Sequence, residues 1–208
     1  MAAVLTGDLI ASTQVGQAAV DATMDVLGAI VSGVAEFGSA NTLFARFRGD
    51  GWQIYSSDPS QVFRLAVLVL ANLQCRPSLP KTRISAATGS VSFMPGNELA
   101  SASGEVFSVS GRNLDSMERL RVVFESNEPN ATWKKALFSY LNWQSARWTP
   151  EQAESIAMSF RAYPPEPRQS AEELGITRQA FSARLDGAGY VPIWEAESAF
   201  RRERAKTL

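Results

Sequence analysis

Phe44-Ala-Arg-Phe-Arg-Gly-Asp-Gly-Trp-Gln-Ile-Tyr55 sets two β-rich runs on either side of a central Asp50-Gly51. Asp-Gly between alternating apolar residues is a strong hairpin signal, because a tight type I′ turn needs residues that tolerate positive φ. The pattern predicts strands over 42–48 and 52–56, with the Asp50 carboxylate at the tip. A second carboxylate, Asp8, follows the apolar run Ala2-Ala-Val-Leu-Thr-Gly7, which reads as a buried strand ended by Gly7-Asp8.

The other elements fall around this hairpin. Ser12-Thr13 can cap a helix over 14–37, with an i, i+4 stripe of Ala18, Ala22, Val26, Ile30 and Val34, and Leu27, Val31 and Phe37 nearby. Gly38-Ser39 stops it. Asp58-Pro59 opens the next helix, whose buried face is Val62, Leu65, Ala66, Val69 and Leu73; Pro77 and Pro80 end it. A strand is expected over 82–91, a loop over 93–102, a helix over 104–120, a strand over 121–125 and a helix over 131–145. The leading β-α-β-β-α-β order predicts an α+β fold, a ferredoxin-like antiparallel sheet with helices on one face.

A boundary near Trp148 divides the chain into 1–147 and 148–208. The second part opens on Thr149-Pro-Glu-Gln152, a capping box with Pro at the first helical position, and the helix runs to about Tyr163. Pro164-Pro-Glu-Pro167 breaks it. Ser170 and Glu173 then read as a second capping box, Gly175 as a turn and Thr177 as the cap of the next helix, with a seam of Ala171, Leu174, Ile176, Ala180, Phe181 and Leu185. That spacing predicts a small all-α helix-turn-helix unit. Tyr190 to Trp194 leads into a charged helix over 195–206.

Composition narrows the chemistry. The chain has 208 residues, 45% apolar, with a net charge of −1, one cysteine and no histidine. Histidine triads, histidine metal ligands, an internal disulfide framework and cysteine-cluster zinc sites are excluded. A metal would be held by carboxylates and carbonyls, which favours Mg²⁺ or Mn²⁺. No apolar run reaches the roughly 20 residues of a membrane span, and the N-terminus lacks the charged region of a signal peptide. The expected location is cytoplasmic. Residues 149–208 carry 8 basic and 9 acidic side chains, so the tail has no overall basic surplus for phosphate neutralisation.

Asp8 and Asp50 end strands that this fold would make neighbours. Two such carboxylates can hold divalent ions that polarise a triphosphate, and the backbone of Leu9, Ile10, Ala11 and Ser12 opens a helix whose free N–H groups suit phosphate oxygens. The plainer alternative is a hairpin turn at Asp50 and a helix cap at Asp8. In the tail, the helix from Thr177 would place Arg178 and Gln179, then Ser182 and Arg184, against DNA bases or phosphates. The alternative is that the three helices pack on the first domain or dimerise. Lys134-Lys135 and Arg201-Arg202-Glu203-Arg204 read as solvated helix faces, Trp133, Trp143 and Trp148 as packing residues, and Cys75 as half-buried.

Asp8-Leu-Ile-Ala-Ser-Thr13 and Phe47-Arg-Gly-Asp-Gly51 resemble the two metal-aspartate motifs of class III nucleotidyl cyclases. Arg83-Ile-Ser-Ala-Ala-Thr-Gly89 with Val91, and Gly104-Glu-Val-Phe-Ser-Val-Ser110, resemble that family's later strand and the lead-in to its catalytic helix. The resemblance covers about 2–145 and implies a homodimer with nucleotide sites at the interface, Asp8 and Asp50 as metal ligands, and Arg46, Gly49 and Ser110 beside the nucleotide. Where the family has an Asn and an Arg on the catalytic helix, this chain has Ser110 and Leu114; Arg112 and Asn113 lie close by in shifted register. Arg46 stands where the family has a base-recognising Lys. The whole layout resembles SatD-like bacterial proteins, and Ser110-Gly-Arg-Asn-Leu-Asp115 is similar to their segment at this point. The resulting expectation is a DNA-binding regulator whose degenerate cyclase-like domain dimerises and binds a nucleotide. The alternatives are an active cyclase using Arg112 or Asn113, and a dimeric scaffold that binds no nucleotide.

Overall fold

The computed structural model describes residues 1–35, 41–47, 49–118, 120–129 and 131–205. Its centre is β1, Ala2–Leu9. Around it stand β2 (Thr42–Phe47), β3 (Gly51–Ser56), β4 (Thr82–Gly89) and β5 (Val122–Ser126), in the sheet order β2-β3-β1-β4-β5. β1 is antiparallel to both neighbours, β2 is antiparallel to β3, and β5 is parallel to β4. The fold is α+β with a mixed sheet. Pairing on both edges carries β1 past the expected stop at Gly7-Asp8: Asp8 lies opposite Gly51 and Arg83, and Leu9 opposite Thr82.

Gly7 is needed for close packing. A β-carbon there would sit 2.3 Å from the indole of Trp52 and 2.5 Å from the Arg83 carbonyl. Trp52 is 1% exposed and donates its ring N–H to Thr82 Oγ1 at 2.9 Å, while Thr82 Oγ1 donates to the Asp8 carbonyl at 2.7 Å. The indole therefore lies over β1 with its one polar atom satisfied.

The hairpin between β2 and β3 forms, but not around Asp50-Gly51 as a two-residue turn. Phe47 pairs with Gly51, which leaves positions 48–50 as the connection. The left-handed position is Gly49, at φ 83°. Arg48 lies outside the described residues.

Helices cover both faces of the sheet, not one. α2 (Gln17–Ala35) and α3 (Val62–Gln74) pack on the face carrying Leu5, Ile54, Ile84 and Phe124, as does α5 (Ala131–Ser145) beside β5. The other face carries Val4, Tyr55 and Ala87, and is covered by Val106 and Val109 of α4 (Glu105–Ser116). The two-period of the strands explains this. Even-numbered residues of β1 are apolar at Ala2 and Val4, so both faces need cover.

Several boundaries differ from the sequence expectation. Ser12 and Thr13 belong to a separate turn, α1 (Ser12–Val15), which no side chain caps and which Gly16 breaks at φ 77° before α2 starts. Ala18 is exposed and Ala22 only half-buried; the buried apolar stripe of α2 is Val20, Met24, Leu27, Ile30, Val31 and Val34, so Ile30 and Val34 are on it as expected. A strict four-residue step lags a 3.6-residue turn, so Ala18 and Ala22 fall off the face that Leu27 and Val31 define. Phe37 and the Gly38-Ser39 stop lie outside the described residues. α4 ends at Ser116 rather than at 120.

The tail comprises α6 (Pro150–Ser159), α7 (Pro167–Glu173), α8 (Arg178–Ala188) and α9 (Tyr190–Ala205). Thr149 and Gln152 make the expected capping box. α6 stops at Ser159, short of Tyr163. α7 begins at Pro167, so the cap is Glu166, whose N–H is taken by Gln169. Ser170 and Glu173 are therefore not a capping box: Ser170 is buried within the helix and Glu173 pairs with Arg161. Tyr190 to Trp194 is the opening of α9, not a lead-in to it. Lys206 lies outside the described residues.

The tail shares the main core. Ile156, Phe160, Ile193 and Phe200 belong to the same buried cluster as Leu65, Leu68 and the sheet. Arg64 of α3 is 2% exposed and donates from Nε to Glu197 of α9 at 2.9 Å; Glu197 is 0% exposed and also pairs with Arg201. Trp148 donates to the Ala188 carbonyl, and Trp133 lies against Phe200; Trp143 is exposed, stacked under Arg147. Lys134 is not a solvated lysine. It is 5% exposed and clamped between Glu128 at 2.6 Å and Glu203 at 2.8 Å. Cys75 is half-buried, and burial pushes its thiol above the ordinary range.

Candidate functional site

Polar residues gather at one end of the α4-covered sheet face. The register there stacks three rows across β3, β1 and β4: Tyr55, Val4 and Ala87; then Gln53, Thr6 and Ser85; then Gly51, Asp8 and Arg83. The face thus passes from apolar to hydroxyl and amide to charged over four residues of β1. Ser110 of α4 closes over the middle row. Its side chain is fully buried and hydrogen-bonds Thr6 Oγ1 at 2.8 Å, and Gln53 donates to the same Thr6 oxygen at 2.9 Å.

The β1–β3 register sets Asp50 one residue beyond Asp8's cross-strand partner. Each carboxylate already has a protein partner. Arg83 approaches Asp8 with the Nε–Nη2 edge of its guanidinium, Nε to Oδ1 at 2.9 Å and Nη2 to Oδ2, and donates from Nη1 to the Met117 carbonyl. Asp8's hydrogen bond raises the Arg83 pKa above the usual arginine range. Ser12 donates its hydroxyl to Asp50 Oδ2. Among the described residues no three His, Cys, Asp or Glu side chains group as a metal site. With both Asp8 oxygens on a guanidinium, the pair as arranged does not fit a divalent ion. A cation would have to displace Arg83.

The Leu9-to-Ser12 segment is partly committed too. The Leu9 side chain is in the core, the Ile10 N–H donates to the Lys81 carbonyl at 2.7 Å, and Ala11 takes a left-handed φ of 55°. Arg46 pairs with Asp21 at 2.7 Å and donates to the Gly49 carbonyl; its hydrogen bond holds the Asp21 carboxyl below the usual range. Asn113 is half-buried on the stripe that carries Val106, Val109 and Ser110. Arg112, one position round the helix, is exposed.

The second constellation is in the tail. Gly175, at φ 64°, links α7 to α8, and Thr177 caps α8 by accepting the Ala180 N–H at 3.1 Å. Met158, Ala171 and Phe181 make a separate small core beneath it. Arg178, Gln179 and Ser182 are exposed along α8, as is the acidic Asp186. Arg184 turns away from that row, half-buried, to pair with Glu154 at 3.3 Å.

Sequence reading missed Asp8's partner. In the sequence Arg83 is the first residue of a strand motif, and its meeting with Asp8 follows from the β1–β4 register, which sets the two opposite each other. In an antiparallel pair a charge on the face of Asp8 must either meet it or be solvated.

No family model matches the chain, and no curated protein matches it significantly. Among the described residues no helix is long and apolar enough to cross a membrane.

Proposed function

We propose that this chain is a cytoplasmic, DNA-binding regulator, with a non-catalytic cyclase-like domain that dimerises and takes a nucleotide-type ligand. The carrying observation is α8. It is capped by Thr177, presents Arg178, Gln179 and Ser182 to solvent, and rests through Phe181 on its own small core. A capped, exposed helix following a short helix and a glycine turn is how helix-turn-helix units address a major groove. Arg184 is not part of that contact set while Glu154 holds it.

The ferredoxin-like reading of the first domain is supported by β-α-β-β-α-β connectivity with β1 between β3 and β4. The loss of catalysis is supported by Ser110, which is buried against Thr6, and by Arg83, which neutralises Asp8. Transition-state charge stabilisation is commonly the largest catalytic contribution, and Ser110 cannot supply it. The ligand would lie along Leu9 to Ser12, beside Gly49; Ser110, buried against Thr6 under α4, and Arg46, held by Asp21 on the opposite face of the sheet, are not at its edges as arranged. The ligand regulates only if it binds two states of the chain with different affinity.

The test is selection of bound duplexes from a random DNA library, followed by anisotropy at several salt concentrations. An enriched motif whose affinity falls on Arg178→Ala and with added salt supports the proposal. Recovery of no motif, with no binding even at low salt, overturns it.

One observation favours an active cyclase instead: the register that brings Asp50 beside Asp8. That reading requires Mg²⁺ or Mn²⁺ to displace Arg83 from Asp8. It predicts a cyclic mononucleotide, detected by mass spectrometry after incubation with the four ribonucleoside triphosphates and Mn²⁺, and lost on Asp50→Ala. Absence of product refutes it.

A further inference from the structure

A cleft of about 700 Å³ opens at the seam between the sheet domain and the tail. α2 contributes Val26 and Val34 to it, α3 contributes Leu68, α6 contributes Met158, and Leu174 follows from the end of α7. It shares no lining residue with the Leu9-to-Ser12 segment. Small side chains leave it open: Ala29 and Gly33 on α2, and Ala162 beyond α6. Gly33 lies inside α2, where glycine is a poor helix former, and a β-carbon on it would meet no described atom within 4 Å. No packing contact on that side calls for glycine; its small size leaves room in the cleft. Val26, Gly33, Cys75, Ala162 and Leu174 are half-buried and Ala29 is exposed, so the walls keep surface for an occupant.

The charges at the rim balance. Arg76, Arg161, Glu154 and Glu173 stand there, two of each sign. Arg161 reaches both carboxylate oxygens of Glu173 at 3.2 and 3.3 Å. Glu154 accepts from Arg184 at 3.3 Å, and Arg76 donates to the Asn72 carbonyl at 2.6 Å and to Asn72 Oδ1 at 3.1 Å. An ionic occupant has to break into these contacts; an uncharged one does not. Burial pushes the Cys75 thiol above its ordinary range, while Arg76 and Glu154 act on it with opposite sign. The wall at Cys75 is therefore apolar rather than cationic. Such a wall gives water few partners, and covering it is favourable. Cys75 and the adaptable Met158 bring sulfur to the lining, which suits the edge of an aromatic ring.

We infer that this cleft is a binding site for an uncharged aromatic small molecule, which lies between α2 and α6 against Cys75. Its volume is that of an ordinary small-molecule pocket. The inference goes beyond the reading above and stands whether or not α8 binds DNA or the Leu9-to-Ser12 segment takes a nucleotide. Met158 is part of the small core that carries α8, and Leu174 packs against it, so the occupant touches the support of α8.

The test titrates the full chain with N-phenyl-1-naphthylamine, a neutral aromatic amine whose fluorescence rises in apolar surroundings. A saturable rise at one probe per chain is expected, unchanged by added salt because no ion pair forms with the probe. Cys75 is the sole cysteine, so its alkylation by N-ethylmaleimide, followed by intact mass, reads occupancy of the cleft. Probe at ten times its Kd should slow that alkylation about tenfold. Gly33→Leu fills the open side of α2, so probe binding weakens about tenfold or more, the worth of one leucine-sized apolar group. The same variant melts no lower than wild type, since leucine is the better helix former. Ala29→Leu, one helical turn earlier and exposed, blocks the cleft in the same way and decides the matter if Gly33→Leu does not fold.

If no saturable rise occurs, if saturable binding survives both leucine variants, or if the bound probe leaves Cys75 alkylation unslowed, the inference fails. Alkylation that slows with protein concentration alone makes a second copy of the chain the occupant and also overturns it. Failure here leaves the DNA selection experiment untouched, so the two readings fall separately.

Discussion

Asp8 shows how one neighbour changes what a residue can do. Alone at a strand end it is a metal ligand in waiting; opposite Arg83 it is half of a bidentate ion pair. Both side chains are about 30% exposed, so their coupling should be modest, about 1 kcal/mol by double-mutant cycle. The informative variant is Arg83→Ala. It should free Asp8, and if the Asp8–Asp50 pair can hold a cation, Mn²⁺ will raise the melting temperature of Arg83→Ala but not of wild type. No Mn²⁺ shift in either protein removes the metal reading altogether. Gly7 is the other decisive residue. Gly7→Ala drives a methyl into Trp52 and the Arg83 carbonyl and should cost about 3 kcal/mol in chemical denaturation, the upper range for overpacking. A cost under about 1 kcal/mol would mean that Trp52 is free to move aside.

Among the elements, α6 and α5 are held by different chemistry. The start of α6 is local: Thr149 and Gln152 satisfy two backbone N–H groups reciprocally. Thr149→Ala should therefore cost about 1 kcal/mol, measured by urea unfolding. α5 is tied through Lys134 to Glu128 before it and Glu203 of α9. Burial pushes the Glu128 carboxyl up, but hydrogen bonds from Lys134 and Thr88 outweigh this and leave its pKa below the ordinary 4.5. Burial likewise lowers Lys134, and the two carboxylates more than offset it, leaving its pKa above 10.5. A depressed carboxylate stabilises above its unfolded pKa and is lost as pH falls through the folded one. A raised lysine stabilises below its unfolded pKa and is lost as pH rises through the folded one. The advantage of wild type over Lys134→Met should thus be widest between those two ranges and shrink outside them. Melting curves across pH would read this directly, and an advantage that is flat through the acid range would contradict it.

For the whole molecule, the junction between the sheet and the tail decides behaviour. Arg64 and Glu197 meet where α3 supports α9, both almost wholly buried. Removing one partner strands a charge, so Glu197→Ala should cost about 3–5 kcal/mol. Replacing both by apolar residues of similar volume should cost much less, since neither desolvated charge then remains. If the tail unfolds separately from the sheet, Glu197→Ala will split one thermal transition into two. If the shared core of Ile156, Phe160, Ile193 and Phe200 unites them, one transition will move as a unit. The latter is expected, because apolar burial across the junction is contiguous.

Much of the architecture was legible in the sequence, for local reasons. Strand alternation, the Thr149 capping box, the Thr177 cap and the Gly175 turn depend on residues within four positions of one another, so the chain alone determined them. It also determined that no histidine or cysteine cluster can take part in chemistry. What spans distance was decided by the tertiary structure. Asp8 meeting Arg83, Lys134 buried between two glutamates, Arg184 drawn to Glu154 and the tail seated on α3 all join residues far apart in the chain. A charged side chain carries no local mark of whether it will face water or a partner. Only the packed fold, by excluding water from some charges and not others, settles which of them are free to act.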